Sequence, residues 1–244
     1  MENIVELNNV SFTAQERNIV QEVSIIFKKS KVTALVGPSG GGKSTVLKLS
    51  AGLLVPDHGE ACYKGKNIAH MNRAENLEFR REGAFVFQDS ALWANQDLFQ
   101  ILELPLRIHF PGMSKKERLN RIKEVTAEAG YRKDLGIRPA RLSMGEQKLI
   151  AFARAMLCNP VLLYLDEWTE SLDETAADRL IDLVRKKKKE GATVIFVSHD
   201  LRIIKDLADL VVMIADGKTA LQATIEQITS DTQLHSLLKM EMAS

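Results

Sequence analysis

Residues 37–44 have the composition of a phosphate-binding loop. They fit the pattern G-x-x-x-x-G-K-[ST] and directly follow Val32–Val36, an apolar run with the character of a buried strand. Glycines allow backbone N–H groups to point at a polyphosphate, Lys43 brings a positive charge near the β- and γ-phosphates, and the Ser44 hydroxyl can ligate Mg²⁺. A glycine-rich surface turn is the alternative. The predicted nucleotide-binding residues are Gly37, Pro38, Ser39, Gly40, Gly41, Gly42, Lys43, Ser44 and Thr45.

Two carboxylates follow a second apolar run, at residues 161–165. Asp166 and Glu167 come at the carboxyl end of this predicted strand, where α/β sheets place ligands. Asp166 can belong to the Mg²⁺ shell, and Glu167 can polarise an attacking water as a general base. The alternative is a strand that simply ends in two solvated carboxylates. Their position downstream of a phosphate-binding loop favours the catalytic interpretation, known as a Walker B motif.

A third motif lies at Ser143, Met144, Gly145 and Glu146, before an apolar-periodic segment that runs through Cys158. Ser143 and Glu146 form an S-x-x-E capping box, which is sufficient to begin a helix. The same helix N-terminus, with its serine and glycine, can also grip a γ-phosphate. The residues alone leave both interpretations open.

Composition excludes several classes of protein. The 33 basic residues balance 32 acidic residues, so the net charge of +1 gives no electrostatic case for nucleic-acid binding. Residues 186–189 are four lysines, which suit a helix C-terminus and solvent, with a membrane surface as the alternative. Cys62 and Cys158 lack metal-type spacing and are expected to be reduced thiols. We expect neither a signal peptide nor a membrane span, so that any membrane role requires a partner.

The elements that position these residues alternate between strands and helices, which predicts an α/β fold. Its core is a mostly parallel sheet flanked by helices, of the P-loop NTPase type, with an N-terminal antiparallel β subdomain. Residues 89–141 read as a helical insertion whose segments are separated by Pro105, by residues 111–112 and by Pro139. We predict one domain, with its core at 1–88 and 142–223, a helical subdomain at 89–141 and a helical tail at 224–244.

Taken in order, the motifs resemble those of the ABC-transporter ATPase family. The set comprises the phosphate-binding loop, Gln88, residues 142–146, Asp166-Glu167, residues 171–173 and His199. The resemblance implies that Gln88 reaches the metal and the attacking water, that Asp173 belongs to the D-loop, and that His199 contacts the γ-phosphate. It also implies ATP and Mg²⁺ as cofactors, with Ser44, Gln88 and Asp166 at the metal. In this family, the motif at 142–146 in one copy completes the phosphate-binding loop of a second copy, so a dimer is expected.

Several positions depart from the family pattern or fit it in more than one way. Phe12 matches the aromatic residue that stacks on adenine, but core packing is equally compatible, and a small alignment shift would place Thr13 or Ala14 there. Met144 stands for a usual glycine, Glu146 for a usual glutamine and Trp168 for a usual proline. A carboxylate at Glu146 could weaken ATP affinity, and a non-catalytic cassette is therefore an alternative.

Residues 88–107 are similar to those of the Mla-type, MCE-associated phospholipid-transport ATPases. This resemblance implies a membrane permease bound at residues 88–105, an MCE-type periplasmic protein in the complex, and a peripheral position on the cytoplasmic face of the bacterial inner membrane. We expect Leu92, Trp93 and Phe99 to be exposed in a protein-binding groove, with core packing as the alternative for Phe99. An importer of amino acids or metals is the competing interpretation.

Overall fold

The computed structural model of the protein describes residues 2–231 and residue 234. The predicted α/β class is confirmed, with two sheets and flanking helices. The strands are β1 Asn3–Ala14, β2 Arg17–Lys28, β3 Val32–Val36, β4 His58–Tyr63, β5 Lys66–Asn67, β6 Gly83–Val86, β7 Leu162–Asp166, β8 Thr193–Val197, β9 Leu210–Ala215 and β10 Lys218–Thr224. The helices are α1 Lys43–Ser50, α2 Arg73–Glu82, α3 Leu98–His109, α4 Lys115–Ala129, α5 Met144–Met156, α6 Glu174–Lys189, α7 Leu201–Leu207 and α8 Ile225–Ser230.

The larger sheet has six strands in the order β10-β9-β3-β8-β7-β6. Its strands are parallel from β9 to β6, and β10 pairs antiparallel with β9 at the edge. Every residue of β3, β7 and β8 is buried, which explains their continuous apolar sequences. Because parallel strands end at one edge of a sheet, the loops after β3, β7 and β8 lie side by side there.

The smaller sheet is antiparallel, in the order β2-β1-β4-β5, as the N-terminal patterning predicts. Its first two strands are longer than expected and meet at a two-residue turn, Gln15 and Glu16, with φ angles of 49° and 62°. Positive φ at both positions is typical of a tight hairpin turn. One face of the larger sheet packs with α1 and this smaller sheet, and the other face packs with α3 to α7.

The segment 89–141 is helical as predicted, but Pro105 does not separate its helices. Pro105 lies inside α3, where it removes one backbone hydrogen bond. The helix continues because Leu98, Ile101, Leu102 and Leu106 form one fully buried face. Helix α4 begins with a capping box at Ser114 and ends before Gly130 (φ 99°). Burial of an apolar face thus outweighs the local preference of proline.

Other element boundaries also differ from the sequence-based expectation. Helix α5 ends at Met156, two residues before Cys158, and β6 ends at Val86, before Gln88. Helices α2 and α7 were not predicted. Of the predicted C-terminal helical tail, Ile225–Ser230 is helical, and the rest lies outside the described residues apart from residues 231 and 234. None of the helices in the described part of the chain combines the length and apolar character needed to cross a bilayer.

The four lysines at 186–189 end helix α6 as predicted, but three of them contact protein side chains, and Lys186 pairs with Glu128 at 4.0 Å. Lys187 pairs with Glu190 and hydrogen-bonds Asn159, and Lys188 donates to Asp209 and to the Leu207 carbonyl. These bonds tie the end of α6 to the loop before β7 and to the α7–β9 connection. The lysine run therefore holds secondary-structure elements together.

Candidate functional site

The loop after β3 is built so tightly that side chains do not fit at several positions. A Cβ atom on Gly37 or Gly41 would lie 2.1 Å or 2.8 Å from the Ile214 carbonyl oxygen of β9. A Cβ on Gly42, which has a φ of 101° and caps α1, would lie 2.8 Å from the Ile19 carbonyl oxygen. The glycines therefore let the loop curl against neighbouring backbone, with its N–H groups at the start of α1.

Lys43, the first residue of α1, directs its ammonium group into this loop. Its Nζ donates hydrogen bonds to the carbonyl oxygens of Gly37 at 2.8 Å and Pro38 at 2.7 Å. Burial lowers the pKa of Lys43, and the nearby carboxylates of Glu167 and Asp166 oppose that shift. The positive charge is therefore held inside the loop, where a phosphate group would need it.

Ser44 and Asp166 are brought together from positions 122 residues apart. The Ser44 hydroxyl, in the first turn of α1, donates to Oδ1 of Asp166, the last residue of β7, at 2.8 Å. Burial raises the pKa of Asp166, while the bond from Ser44 acts in the opposite direction. Among the described residues no group of three His, Cys, Asp or Glu side chains could hold a metal ion. A hydroxyl and one carboxylate fit Mg²⁺, which usually takes phosphate oxygens as its other ligands.

Glu167 follows β7 with its backbone in the left-handed region, at a φ of 42°. Non-glycine residues adopt this conformation rarely, and it occurs at functional sites where the surrounding structure imposes it. Its Oε1 atom is buried and forms no hydrogen bond within the described part of the chain, and His199 Nε2 lies 3.0 Å away. That oxygen is available to another donor, such as a water molecule.

The surroundings of Glu167 tune it toward proton transfer near neutral pH. Burial, followed by the carboxylates of Asp166 and Glu170, raises the pKa of Glu167 to about 7. Burial and then the charge of Lys43 lower the pKa of His199, so its imidazole is neutral at pH 7. A general base works best when its pKa lies near the working pH.

Gln88 lies beside these residues and is held by two side chains that the sequence analysis missed. Its Nε2 donates to Glu170 Oε2 at 3.1 Å, and its backbone carbonyl accepts a hydrogen bond from the Lys148 ammonium. Lys148 is a buried residue of α5 and also donates to the Glu167 carbonyl at 3.3 Å. Its position, one turn after a capping box, gives no local signal of this role, because its partners come from distant parts of the chain.

The predicted site residues do not all meet. An open cleft of about 730 Å³ is lined by Ser39, Gln88, Glu167 and His199, and also by Glu170. No residue of the 142–146 motif lines this cleft, nor does Asp173 or Phe12. Phe12 is half-buried against the core beneath the smaller sheet, and its stacking on adenine stays a prediction.

The motif at 142–146 forms the start of α5, where Ser143 and Met144 are exposed and Leu142 is buried. Ser143 Oγ accepts a hydrogen bond from the Glu146 N–H at 3.2 Å, and Glu146 Oε2 accepts one from the Ser143 N–H at 2.9 Å, so the predicted capping box is present. Met144 is 70% exposed. A Cβ on Gly145 would lie 3.2 Å from the Ser171 carbonyl oxygen, so this helix start packs closely on the loop that leads to Asp173, the N-cap of α6.

The carboxylate of Glu146 is already occupied within its own chain. Its Oε1 pairs with Lys133 Nζ at 2.5 Å, while Oε2 closes the capping box. The hydrogen bond from Lys133, and then that from the Ser143 backbone, lower the pKa of Glu146. The group is therefore ionised but turned toward its own helix and toward a neutralising lysine.

Trp168, which stands where the family usually has proline, is fully buried. Its indole packs on Phe152 of α5 with ring centroids 6.0 Å apart. The departure from the family pattern thus anchors the turn after Glu167 on the helix that begins at the 142–146 motif. Of the three residues expected to be exposed after Gln88, only Trp93 is (46%), whereas Leu92 and Phe99 are half-buried against the main core. The expected exposure was wrong for Leu92, whereas the alternative of core packing is confirmed for Phe99.

The sequence profile of the family described as "ABC transporter" matches residues 20–170, more than half of the chain. The chain belongs to the ABC transporter family. As the ATPase subunit of an ABC transporter, it binds and hydrolyses ATP, with Mg²⁺ as the usual metal partner of such ATPases. The predicted family and enzyme class are confirmed.

The similarity of this ABC ATPase to individual relatives extends over most of its length. It is 32% identical to the intermembrane phospholipid transport system ATP-binding protein MlaF of Haemophilus influenzae, over 98% of this chain and 92% of MlaF. It is 33% identical to the nickel import ATP-binding protein NikE of Shigella flexneri, over 92% of this chain and 85% of NikE. The fold matches a solved dimer of the ATP-binding cassette MJ0796, in a post-hydrolysis state with ADP and Pi, with a TM-score of 0.84 at 28% identity, over 91% and 99% of the two chains.

Proposed function

We propose that two copies of this ABC ATPase pair to form composite ATP sites and that the pair energises a membrane complex that moves phospholipids. The main support for pairing is that the predicted site residues of one chain lie in two separate places. The cleft with Glu167 is lined by Ser39 of the phosphate-binding loop, by Gln88 and by His199, whereas Met144, in the second motif, is exposed to solvent. The dimeric MJ0796 cassette, whose fold this chain shares, supports the same arrangement. Each chain then acts as one ABC ATPase domain.

Nucleotide binding is assigned to the loop at 37–45. Its N–H groups and the Lys43 ammonium would hold the β- and γ-phosphates, and Phe12 would contact the adenine. Bound Mg²⁺ supplies charge neutralisation on the transferring phosphate. Ser44 and Asp166, already within hydrogen-bond distance, would hold the ion together with the Gln88 amide oxygen. Hydroxyl, carboxylate and amide oxygens are ligands that Mg²⁺ prefers.

Hydrolysis is assigned to Glu167 and His199. The buried Oε1 of Glu167 would accept a proton from the attacking water, since it has no other partner among the described residues. The neutral imidazole of His199, 3.0 Å away, would orient that water and the γ-phosphate. Gln88, at the rim of the same cleft, would complete the arrangement.

The second copy would contribute the exposed start of α5. The N-terminus of that helix, with Ser143 and Gly145, would grip the γ-phosphate from the opposite side, flanked by Met144, Glu146 and Asp173. Glu146 does not present a free negative charge to the phosphates, because Lys133 and the Ser143 N–H hold its carboxylate. The altered motif therefore remains compatible with ATP binding.

Pairing can be tested with the Glu167→Gln variant, in which ATP should bind without turnover. We expect ATP and Mg²⁺ to shift this variant from monomer to dimer in size-exclusion chromatography with light scattering. Adding Met144→Arg should abolish the shift, because it places a bulky cation at the exposed start of α5. A Glu167→Gln chain that stays monomeric at saturating ATP would overturn the composite site.

The phospholipid substrate rests on the match to MlaF, which extends over nearly the whole of both chains. In that setting the chain would sit peripherally on the cytoplasmic face of the bacterial inner membrane. Residues 88–105, with the exposed Trp93, would contact the permease, and an MCE-type periplasmic protein would complete the complex. A metal importer is the second candidate, since NikE has a comparable identity.

Purification of the chain with its membrane partner distinguishes these substrates. We expect the complex to retain phospholipid, measured by mass spectrometry of extracted lipids, and its ATPase rate to respond to lipid vesicles. The same complex should be insensitive to nickel. Stimulation by a soluble binding protein loaded with metal, with no bound lipid, would replace the phospholipid proposal by the importer.

A further inference from the structure

Glu170 is an acidic residue at the edge of the catalytic cleft to which the roles above assign nothing. It lies three residues after Glu167, in the turn between β7 and α6, and lines the cleft together with Gln88 and His199. Its Oε2 atom accepts a hydrogen bond from Gln88 Nε2 at 3.1 Å, across 82 residues of sequence. The side chain thus contacts a predicted metal ligand without belonging to the metal site.

The backbone of Gln88 is fixed independently of Glu170. Its carbonyl oxygen accepts a hydrogen bond from the buried Lys148 ammonium, which also donates to the Glu167 carbonyl at 3.3 Å. The preceding residue, Phe87, packs on the Phe85 ring of the same segment, with centroids 4.4 Å apart. The orientation of the Gln88 amide is therefore left to its contact with Glu170.

A glutamine amide has one end that donates and one that accepts, and only the oxygen can bind a cation. An ionised carboxylate accepts hydrogen bonds but cannot donate them, so Glu170 requires the NH₂ end of Gln88 to face it. The reversed amide would place two oxygen atoms against each other. The amide oxygen is thereby directed away from Glu170 and remains free.

We infer that Glu170 is a positioning residue that fixes the Gln88 amide so that its oxygen, rather than its NH₂ group, is presented to the Mg²⁺ ion of the bound nucleotide. This role rests on the proposed function of Gln88. It predicts that Glu170 strengthens binding of the metal–nucleotide complex, although it adds a negative charge to a cleft that receives a polyanion. Simple electrostatics predicts the reverse, because removing a carboxylate should favour ATP.

The opposite signs make the inference testable by equilibrium binding. Isothermal titration calorimetry with the non-hydrolysable analogue AMP-PNP gives its affinity with and without Mg²⁺, and the ratio is the gain due to the metal. In Glu170→Ala and Glu170→Gln we expect this gain to fall about threefold to tenfold, as for loss of one ordinary hydrogen bond. A glutamine at 170 can donate or accept, so it keeps the contact but no longer selects the amide orientation.

Two further variants separate positioning from general effects. Glu170→Asp keeps a carboxylate and should recover part of the gain, whereas in a Gln88→Ala background Glu170→Ala should cause no further loss. Glu174→Gln, which removes an exposed carboxylate from the first turn of α6, is the matched control and should leave the gain unchanged.

The outcomes also distinguish this inference from the proposed function. The positioning role is overturned if Glu170→Ala strengthens AMP-PNP binding equally with and without Mg²⁺, or if the affinity gain from Mg²⁺ is as large in this variant as in the native chain. In either case the proposed ATP site stands. If the native chain itself binds AMP-PNP without any gain from Mg²⁺, the proposed metal site fails together with the role of Glu170.

Discussion

The two halves of the proposed ATP site are built in different ways. Side chains of the loop half already contact one another, since Ser44 bonds Asp166 and the Lys43 ammonium bonds the loop carbonyls. The side chains at the start of α5 form a capping box and pair with Lys133, while Met144 is exposed. In the proposed dimer, the loop half is preorganised to bind a ligand alone, whereas the half at the start of α5 becomes part of a site only on a second copy. Substitutions in the two halves should therefore impair different steps of ATP binding, pairing and hydrolysis.

The largest effect is expected in the loop half. Glu167→Gln removes the proton acceptor and should lower kcat by about 10²- to 10⁴-fold, the usual contribution of a positioned general base. ATP affinity should be retained, because the loop at 37–45 is untouched. Phosphate release measures kcat, and calorimetry measures binding. Equal and negligible rates for the native chain and this variant would indicate a non-catalytic cassette.

The two cysteines report on the packing that supports each half. Cys158 follows α5, and burial raises its pKa to about 11, while burial also raises the pKa of Cys62 in β4. Thiolate is the reactive form, and its fraction increases with pH, so at pH 8 we expect iodoacetamide to react with Cys158 roughly tenfold to hundredfold more slowly than with a free thiol, and with Cys62 also more slowly. Mass spectrometry of labelled peptides gives the rates, with guanidinium-unfolded protein as control. Rapid labelling of Cys158 in the folded chain would show that the region after α5 is more open than the structure has it.

Ser143→Ala tests the half at the start of α5, and we expect an effect of intermediate size. Loss of the cap should destabilise the chain by about 1 kcal/mol and reduce ATP-driven pairing and hydrolysis roughly tenfold, since the hydroxyl also faces the partner's phosphate. ATP binding by the monomer should not change. Ser114→Ala removes the same kind of capping box from α4 and is the matched control. If both variants lose stability equally and neither loses activity, Ser143 acts only as a cap.

The smallest effect is expected at Lys133. Its pair with Glu146 is exposed on the lysine side, so Lys133→Ala should change stability by less than about 1 kcal/mol. It should nevertheless weaken ATP-driven pairing about threefold by freeing a carboxylate near the phosphates. The double variant Lys133→Ala with Glu146→Gln should recover native pairing, measured by the ATP concentration at half dimer formation. No recovery in the double variant would contradict a charge effect of Glu146.

Most of the motifs were predictable because their signals are local. A phosphate-binding loop needs consecutive glycines before a helix, and a capping box needs two residues three apart, so both can be read from short stretches. Helix α2 was missed although Asn72 and Glu75 form such a box. Pro105 was misread because a local rule about proline was applied where a buried apolar face decides the outcome.

Residues whose role depends on distant partners could not be predicted in this way. Gln88 and Glu170 are 82 residues apart, and Lys148 meets the carbonyls of Gln88 and Glu167 only because α5 packs behind both loops. The pair of Lys133 with Glu146, which neutralises the altered motif, is likewise formed by the packing of the loop after α4 on the start of α5. The spacing of residues along the sequence therefore does not predict such contacts.

The sequence by itself determined the family, the phosphate-binding loop and the order of the catalytic motifs, because each depends on neighbouring residues whose chemistry is fixed by their types. Only the tertiary structure decided how those residues are tuned. Burial and two carboxylates raise the pKa of Glu167 to about 7, and Glu170 orients Gln88 across the cleft. It also decided that the motif at 142–146 does not line the same cleft and that its Met144 is exposed. Desolvation, charge proximity and hydrogen-bond direction act through space, and chain folding sets the distances on which they depend.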